Sequence, residues 1–496
     1  MSIVLKKFPY KYMEYEKYMM RRELFSFFPN ATITETADRI LVDGLRTNDI
    51  PKLYNLTFIS AYNLEGVWHE TYQSRVEQGQ GTPSNRQHTR YSTHGIHEYK
   101  GKYNPQIVHC MTNLFGLDTQ DVILDPFNGS GTTTLECAHL GIRAIGTDIN
   151  PMACFIANAK IKALKIDCEL AIESIAFLRS HMAEEAASLP LGDDPRLVYL
   201  KKWIPYDNLC IFEYIRFYAE TQDEPLKHLL LAVASDLIRD YSYQEPKDLR
   251  IRRRISPFPT VSLAEEYCQR LTNNINKIAA IQNTLGPIHT SNEALCCDIR
   301  EHHVYEVERF SAVLTSPPYI TALPYIDTQR ISLVWLNLCG SDGITKLESS
   351  LIGSREFRSG QKGYWNLCAM ENNACIPDEL WALVCQMQNS LGPSDGFRKK
   401  AVPTLLYRYF ADMKAVFTNV AKQVDYGAPF ALIVGHNKAT LGDKKFFLDT
   451  PDYLAKIAKF CGWSLEEILP LETYKRYGIN SKNAINHESM VILRWL

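Results

Sequence analysis

Residues 121–134 read DVILDPFNGSGTTT, and the fold turns on this stretch. Val122, Ile123 and Leu124 favour a strand that ends at Asp125-Pro126, and TTTLECAHLG reads as a helix that stops at Gly141. Between them, Gly129 and Gly131 allow a tight turn and a close approach of backbone to ligand. The helix start behind that turn aims free N–H groups at the same place. The pattern is neither G-x-G-x-x-G nor G-K-[ST], and no lysine follows Gly131, which disfavours a bound triphosphate. Next come a second strand, IRAIGTDIN, and a second helix, PMACFIANAKIKAL, with Pro151 in the first turn, where its missing N–H costs nothing. Strand, helix, strand and helix in this order open a doubly wound sheet.

Asp148 ends the second strand, about twenty residues beyond the turn, where an acid can accept hydrogen bonds from both hydroxyls of a ribose. A glycine turn plus a ribose acid, without basic residues for phosphate, fits S-adenosyl-L-methionine better than a dinucleotide. Residues 166–290 break the rhythm with four helical stretches, a helical insertion. EALCCDI and FSAVLTSPPY resume the sheet, and 341–402 is irregular. Residues 403–424 read as a helix, PFALIVGHN as a strand and TPDYLAKIAKFCGW as a helix, with LEEILPLETY and ESMVILRW closing the sheet as a hairpin. Upstream, 1–70 read as a small α/β module with a strand at FPYKYM, a helix at EYEKYMMRRELFSFF and strands at RILVDGL and LYNLTFISAYN. Residues 71–95, polar and carrying Gly, Pro, Ser and Asn, have the composition of a linker.

At 496 residues, 46% apolar and 22% charged, the chain is a soluble globular protein of several domains, not a fibre or a disordered chain. No apolar run approaches the roughly 18 residues of a membrane span, and the N-terminus lacks an apolar signal core, so a cytoplasmic location is expected. With 54 basic against 56 acidic residues, polyanion binding would need a local basic groove. None of the 13 cysteines has C-x-x-C spacing, which argues against a zinc ribbon and for reduced thiols; no metal is expected.

The second informative motif is Thr315-Ser316-Pro317-Pro318-Tyr319. Two prolines at a strand end remove two donors and stiffen the loop, so that carbonyls held there can accept hydrogen bonds from an amine. Tyr319 offers a flat face for stacking. Together DPFNGSGTT and TSPPY resemble the cofactor and catalytic motifs of the amino-methylating DNA methyltransferases, which make N4-methylcytosine or N6-methyladenine. His97-Glu98-Tyr99-Lys100-Gly101-Lys102-Tyr103-Asn104-Pro105 resembles the segment that covers the methionine end of the cofactor in that family. Asp298 matches the acid that meets the adenine ring, and IVGHNKA with NAINHESMVILRW is similar to the closing strands of one branch.

The resemblance implies a Rossmann-like methyltransferase fold: a mostly parallel twisted sheet with a C-terminal antiparallel hairpin. Residues 96–165 would be its cofactor-binding half, 291–340 its catalytic half and 403–496 the rest of the sheet, with 166–290 as the DNA-recognition region. S-adenosyl-L-methionine would contact Tyr103, Pro105, Asp125, Phe127, Gly129, Ser130, Gly131, Thr132, Asp148 and Asp298. Ser316, Pro317, Pro318 and Tyr319 would act on a base flipped from double-stranded DNA. A cognate restriction or defence nuclease would be the partner. Two features depart from the family: the cofactor motif precedes the catalytic one, where many members with this loop reverse the order, and the insertion is long. Serine in S-P-P-Y is more typical of cytosine-N4 enzymes, whereas adenine-N6 enzymes more often carry Asp or Asn. N6-adenine methylation, RNA (tRNA) methylation and a non-catalytic binding role stay open. Carbon-5 cytosine methylation needs a Pro-Cys nucleophile, and that dipeptide does not occur.

The densest basic run is Lys247–Arg254, with Arg250, Arg252, Arg253 and Arg254 as the expected phosphate contacts. Arg355, Arg358 and Lys362, and Arg398-Lys399-Lys400, are weaker candidates. His436 reads as structural, and Trp203, Tyr214, Phe217 and Tyr218 read as core.

Overall fold

The computed structural model describes residues 1–78, 87–304, 309–320, 324–358, 360–472 and 487–496. Its main sheet has seven strands, numbered here in chain order: β1 Val122–Asp125, β2 Arg143–Asp148, β3 Glu293–Cys296, β4 Ala312–Thr315, β5 Pro429–Gly435, β6 Trp463–Glu472 and β7 His487–Trp495. Their spatial order is β6-β7-β5-β4-β1-β2-β3. The first five run parallel, and β7 is antiparallel to both β5 and β6, so the C-terminal hairpin is present. Strand order reverses between β1 and β4, the place where open α/β sheets leave a crevice for ligands.

Alternation along the strands divides the core. Ile123, Leu314, Ile433 and Ile492 face one side. Leu124, Val313, Leu432 and Val491 face the other, against a buried helix, Val402–Ala421, that brings Tyr409, Phe410, Met413 and Phe417. The helices that matter for the site are α1 Glu14–Phe27, α2 Pro105–Phe115, α3 Thr132–His139 and α4 Pro151–Ala163. The insertion supplies α5 Cys168–Ser188, α6 Pro195–Lys201, α7 Tyr206–Ala219, α8 Glu224–Ile238 and α9 Leu263–Leu285. It is mostly helical as expected, apart from residues 239–262, where Gln244 and Arg253 form an antiparallel bridge, and it packs on α4 and on α10, Tyr325–Trp335, through Leu229, Val233, Trp335 and their neighbours.

Several expectations need correction. The first strand is Ser2–Lys7, where Ile3 and Leu5 are buried, and not FPYKYM. Phe8, Tyr10 and Tyr12 instead stack on one another outside the sheet, where Pro9 has no N–H to offer a ladder. The module is an antiparallel five-stranded sheet with α1. It is also no appendage: Met19 and Leu24 of α1 share one core with Ile107, Ile123, Leu314 and Ile433. The stretch 71–95 is not a plain linker either. It holds a helix, Tyr72–Glu77, and a turn, Ser92–Gly95, with Tyr72, Gln73, Tyr91 and His94 buried. Its polar side chains pair inside the protein: Gln73 and Gln106 both donate to Glu77, at 2.8 and 2.9 Å. Polar composition alone could not show that these groups find buried partners. Residues 79–86 of that stretch and 473–486 of the C-terminal motif region lie outside the described residues. The region 341–402 is largely helical, with Ile344–Ser350, Gln361–Glu371, Asp378–Asn389 and Phe397–Lys400. Of the aromatics read as core, Tyr214 is buried, but Phe217 is 66% exposed. Among the described residues, no helix is long and apolar enough to cross a membrane.

Because the module and the sheet share a core, Leu24→Ala is expected to destabilise the protein by about 2–5 kcal/mol. Hydrogen exchange should show Ala312–Thr315 losing protection together with Glu14–Phe27; loss confined to Glu14–Phe27 would mark a separately folding module.

Candidate active site

The site begins under its floor. Asp125, at the end of β1, is 1% exposed, and three donors satisfy its carboxylate: the hydroxyls of Thr133 on α3 and Thr315 on β4, and the Phe127 N–H at 3.1 Å. Burial pushes the Asp125 carboxyl up to about 6. The Tyr103 hydroxyl bonds in turn to Thr133. Asp125 therefore does not line the cavity, as the family resemblance had implied. It ties together two strand ends, a helix start and the segment that covers them.

The loop Asn128–Gly131 follows. Asn128 N–H donates to Thr147 O at 2.9 Å, and Thr134 Oγ1 donates to Asn128 Oδ1 at 3.0 Å. The Asn128 side chain lies over Gly146 of β2, where an added Cβ would come within 2.2 Å of it. Gly131 has φ +84°, and a Cβ there would meet the Ala157 methyl of α4 at 2.8 Å. Its role is packing α3 against α4, and it does not line the cavity. Gly129, at φ +49°, is the glycine that does, beneath the Tyr99 ring.

Above this loop, at the crevice between β1 and β4, lies a cavity of about 970 Å³ counted with its open mouth. Phe127, Gly129, Ser130, Thr132, Tyr103, Asp148 and Asp298 line one part, and Ser316, Pro317, Pro318 and Tyr319 the other. Pro105 is absent from the lining; it opens α2 and is buried. Asp148 accepts N–H bonds from Gly129 and Asn150, both at 2.9 Å, and each oxygen keeps a lone pair. Burial pushes its carboxyl up to about 6. Tyr99, in the covering segment 97–105, stacks on Tyr325 with centroids 5.8 Å apart, a pairing across more than two hundred residues that no local pattern signals. An aromatic pair, a glycine backbone and an acid with spare lone pairs fit a nucleoside. Asn128 Nδ2 and Ser130 Oγ are buried without a partner beside them. Asp298 sits in a tighter bond set: Arg300 grips both its oxygens, at 2.9 and 2.6 Å, and also reaches Asp412 at 2.7 Å and Ser350 O at 2.9 Å. Burial pushes the Asp298 carboxyl up, but the Arg300 bonds outweigh it and hold the group below its ordinary range.

At the other end, Ser316 Oγ donates its hydrogen to Ile433 O of β5 at 2.8 Å. The hydroxyl oxygen can then only accept from whatever enters the cavity. Tyr409 donates to Pro318 O at 3.0 Å, and Tyr319 donates to Glu488 of β7 at 2.6 Å. No donor among the described residues reaches the Pro317 carbonyl. His436 is held aside between Asp449 at 3.2 Å and Ser489 at 3.4 Å.

The basic run 247–254 divides. Arg254 is spent on structure: it donates to the carbonyls of Ser242, Arg239, Asp240 and Pro257 and lies over Phe258 at 4.4 Å. Arg253 donates to Lys202 O at 2.7 Å and covers Trp203, and Arg252 pairs with Asp248 at 3.0 Å. The Arg250 N–H donates to Asp248 Oδ1 at 2.9 Å, while its guanidinium has no ion-pair or hydrogen-bond partner among the described residues.

A family model described as DNA methylase, of the N6/N4 type, matches residues 11–159 and so takes in most of the N-terminal module. The type II methyltransferase M.MjaII of Methanocaldococcus jannaschii is 36% identical over 135 residues, 27% of this chain and 24% of that protein. M.BsoBI of Geobacillus stearothermophilus is 25% identical over 452 residues, 81% of this chain and 84% of its own length. M.MvaI of Kocuria varians is 26% identical over 298 residues, covering 54% of this chain and 63% of that protein. The chain thus spans about a quarter of the first of these relatives and most of the second.

If the free lone pairs of Asp148 accept from the ribose hydroxyls of S-adenosylmethionine, Asp148→Asn should weaken binding by about 1–3 kcal/mol, because it removes the charge from that acceptor. With the Asp148 carboxyl near 6, wild-type affinity should hold above that pH and fall below it, by at most about tenfold per pH unit, as the acceptor is protonated. Calorimetry across pH checks both points: the variant's profile should be shallower than wild type, with the Asp125 carboxyl, also near 6, still titrating beneath the loop, and an Asn variant with wild-type affinity would remove Asp148 from the site.

Proposed function

This chain belongs to the N6/N4 DNA methylase family, and we propose that it methylates an exocyclic amine of a base flipped out of duplex DNA. The observation that carries this reading is the Ser316 hydroxyl, with its hydrogen committed to Ile433 O, beside the Pro317 carbonyl on the wall of the cavity. This is a pair of acceptors with no nucleophile between them, which suits a substrate that brings two N–H groups and its own lone pair.

An exocyclic amine is a poor nucleophile because its lone pair is delocalised into the ring. Ser316 Oγ and Pro317 O, accepting from its two N–H groups, favour a pyramidal nitrogen whose lone pair is free to attack. Gly129, Asp148 and Tyr99 would hold S-adenosylmethionine, whose sulfonium would supply an electrophilic methyl carbon: the N–C bond forms as the C–S bond breaks, and the electron pair leaves on the neutral thioether S-adenosylhomocysteine. Holding nitrogen and carbon in line provides most of the rate gain. The methylated nitrogen then sheds one proton to solvent, since a hydroxyl is too weak a base to keep it. Tyr319 presents its ring to the flipped base, and its bond to Glu488 fixes the ring's tilt. No cysteine takes part.

Cytosine N4 and adenine N6 bring the same pair of N–H donors, so the acceptors fit either amine. Ser316, where adenine enzymes of the family more often carry Asp or Asn, is the residue that favours cytosine. A nuclease that cuts the same sequence when it is unmethylated completes the proposed role.

Ser316→Ala should lower single-turnover methyl transfer by about 10²-fold or more while leaving cofactor affinity intact, because the lost group acts on the amine. Transfer at the wild-type rate under saturating DNA and cofactor would reduce S-P-P-Y to a strand stop. Mass spectrometry of nucleosides from methylated DNA identifies the base. N4-methylcytosine is expected, N6-methyladenine would overturn the choice of base, and transfer to tRNA in place of DNA would overturn the substrate.

A further inference from the structure

The chain carries a net charge of only −2, and most cations around the cavity are spent on local bonds. Arg300 is locked to Asp298 and Asp412, Arg330 to Asp327, Arg252 to Asp248 and Lys399 to Asp395. Arg250, Arg355, Arg358 and Arg398 are different: among the described residues, no carboxylate lies in ion-pair range of any of them.

Backbone tethers place two of these arginines beside the cavity. Thr328 of α10 donates to Leu249 O at 2.6 Å, next to Arg250, and Tyr325 of the same helix lines the cavity. On the other side, Ser350, Leu351 and Ile352 line the cavity, and Arg408 holds the carbonyls of Ser354 and Glu356, on either side of Arg355. The remaining two stand within electrostatic reach. Burial and then the charges of Arg250 and Arg398 hold Arg355 below its ordinary range, and Arg358 acts on Asp298 in the cavity wall. Phe397, beside Arg398, is 75% exposed.

Glu348 feels Arg250, and Asp298 feels Arg358, only at longer range than an ion pair, so the four guanidinium groups keep their donors free and focus a positive field on the cavity mouth. We propose that Arg250, Arg355, Arg358 and Arg398 form a two-sided clamp for the phosphates of duplex DNA around the cavity mouth. One jaw comes from the helical insertion, and the other from residues 353–400. The contact face is therefore shared between the two inserted regions, and does not rest on the 250–254 run alone. This inference rests on the DNA reading above.

The test is duplex binding by fluorescence anisotropy from about 50 to 200 mM salt, each phosphate contact adding roughly 0.9 to the slope of log affinity against log salt. Arg355→Gln with Arg398→Gln should lower the slope by about 2 units, and so should Arg250→Gln with Arg358→Gln. Calorimetry with S-adenosylmethionine should be unchanged in the double variant of Arg355 and Arg398, neither of which lines the cavity, which shows that the cavity is intact. Arg252→Gln with Lys399→Gln, two cations already paired, should leave the slope as it is. A wild-type slope in both clamp variants would overturn the clamp while leaving the DNA reading in place. A wild-type chain with no salt-dependent affinity for duplex DNA would overturn that reading first, and the clamp with it.

Discussion

The buried carboxylate of Asp125 is the constraint on which the rest of the site depends. An ionisable group removed from water is costly unless donors surround it, and here Thr133, Thr315 and the Phe127 N–H do so. Those donors come from α3, β4 and the loop after β1. Thr315 is the residue before Ser316, and Thr133 stands two residues after Gly131. One carboxylate therefore sets both the height of the Asn128–Gly131 loop and the position of Ser316. Tyr103, bonded to Thr133, brings the covering segment into the same register.

The sequence made the strand and helix order of the main sheet legible because its central strands are short continuous apolar runs, buried on both faces and cut off by Gly, Pro or Asp, while the helices between them are longer. The loop at Asn128–Gly131 and the acid at Asp148 were legible for the same reason: a local turn needs particular residues at particular spacings. What stayed hidden is what forms only between distant segments. Arg300 gripping Asp298 and Asp412, Tyr325 stacking on Tyr99, and Glu488 holding Tyr319 leave no mark on a local pattern. Arg254 misled because a run of arginines reads alike whether the guanidinium faces solvent or four carbonyls. The stretch 71–95 misled because polar residues that pair inside a protein have the composition of a loop.

The N-terminal module shows how a sheet face becomes a domain boundary on paper and not in the molecule. Its period and turns describe a small independent sheet. Yet Met19, Leu24 and Ile40 have nowhere to be buried except with Ile123, Leu314 and Ile433. Without the module, one apolar face of the strands that carry Asp125 and Ser316 would meet water. The family match beginning at residue 11 agrees with this shared core.

The hydrogen of Ser316 has a further consequence. Because it is spent on Ile433 O, the position offers lone pairs and no donor, and Pro317 beside it has none to give. A ring that presents an oxygen there meets repulsion and an unpaired polar atom, a mismatch that costs far more than a missing contact. On the proposed reading, a thymine or uracil carbonyl in the place of the cytosine amine, or a hypoxanthine carbonyl in the place of the adenine amine, would be turned away on that ground. Such a pocket would tell an intact amine from its product of deamination, using a single proton parked on the neighbouring strand.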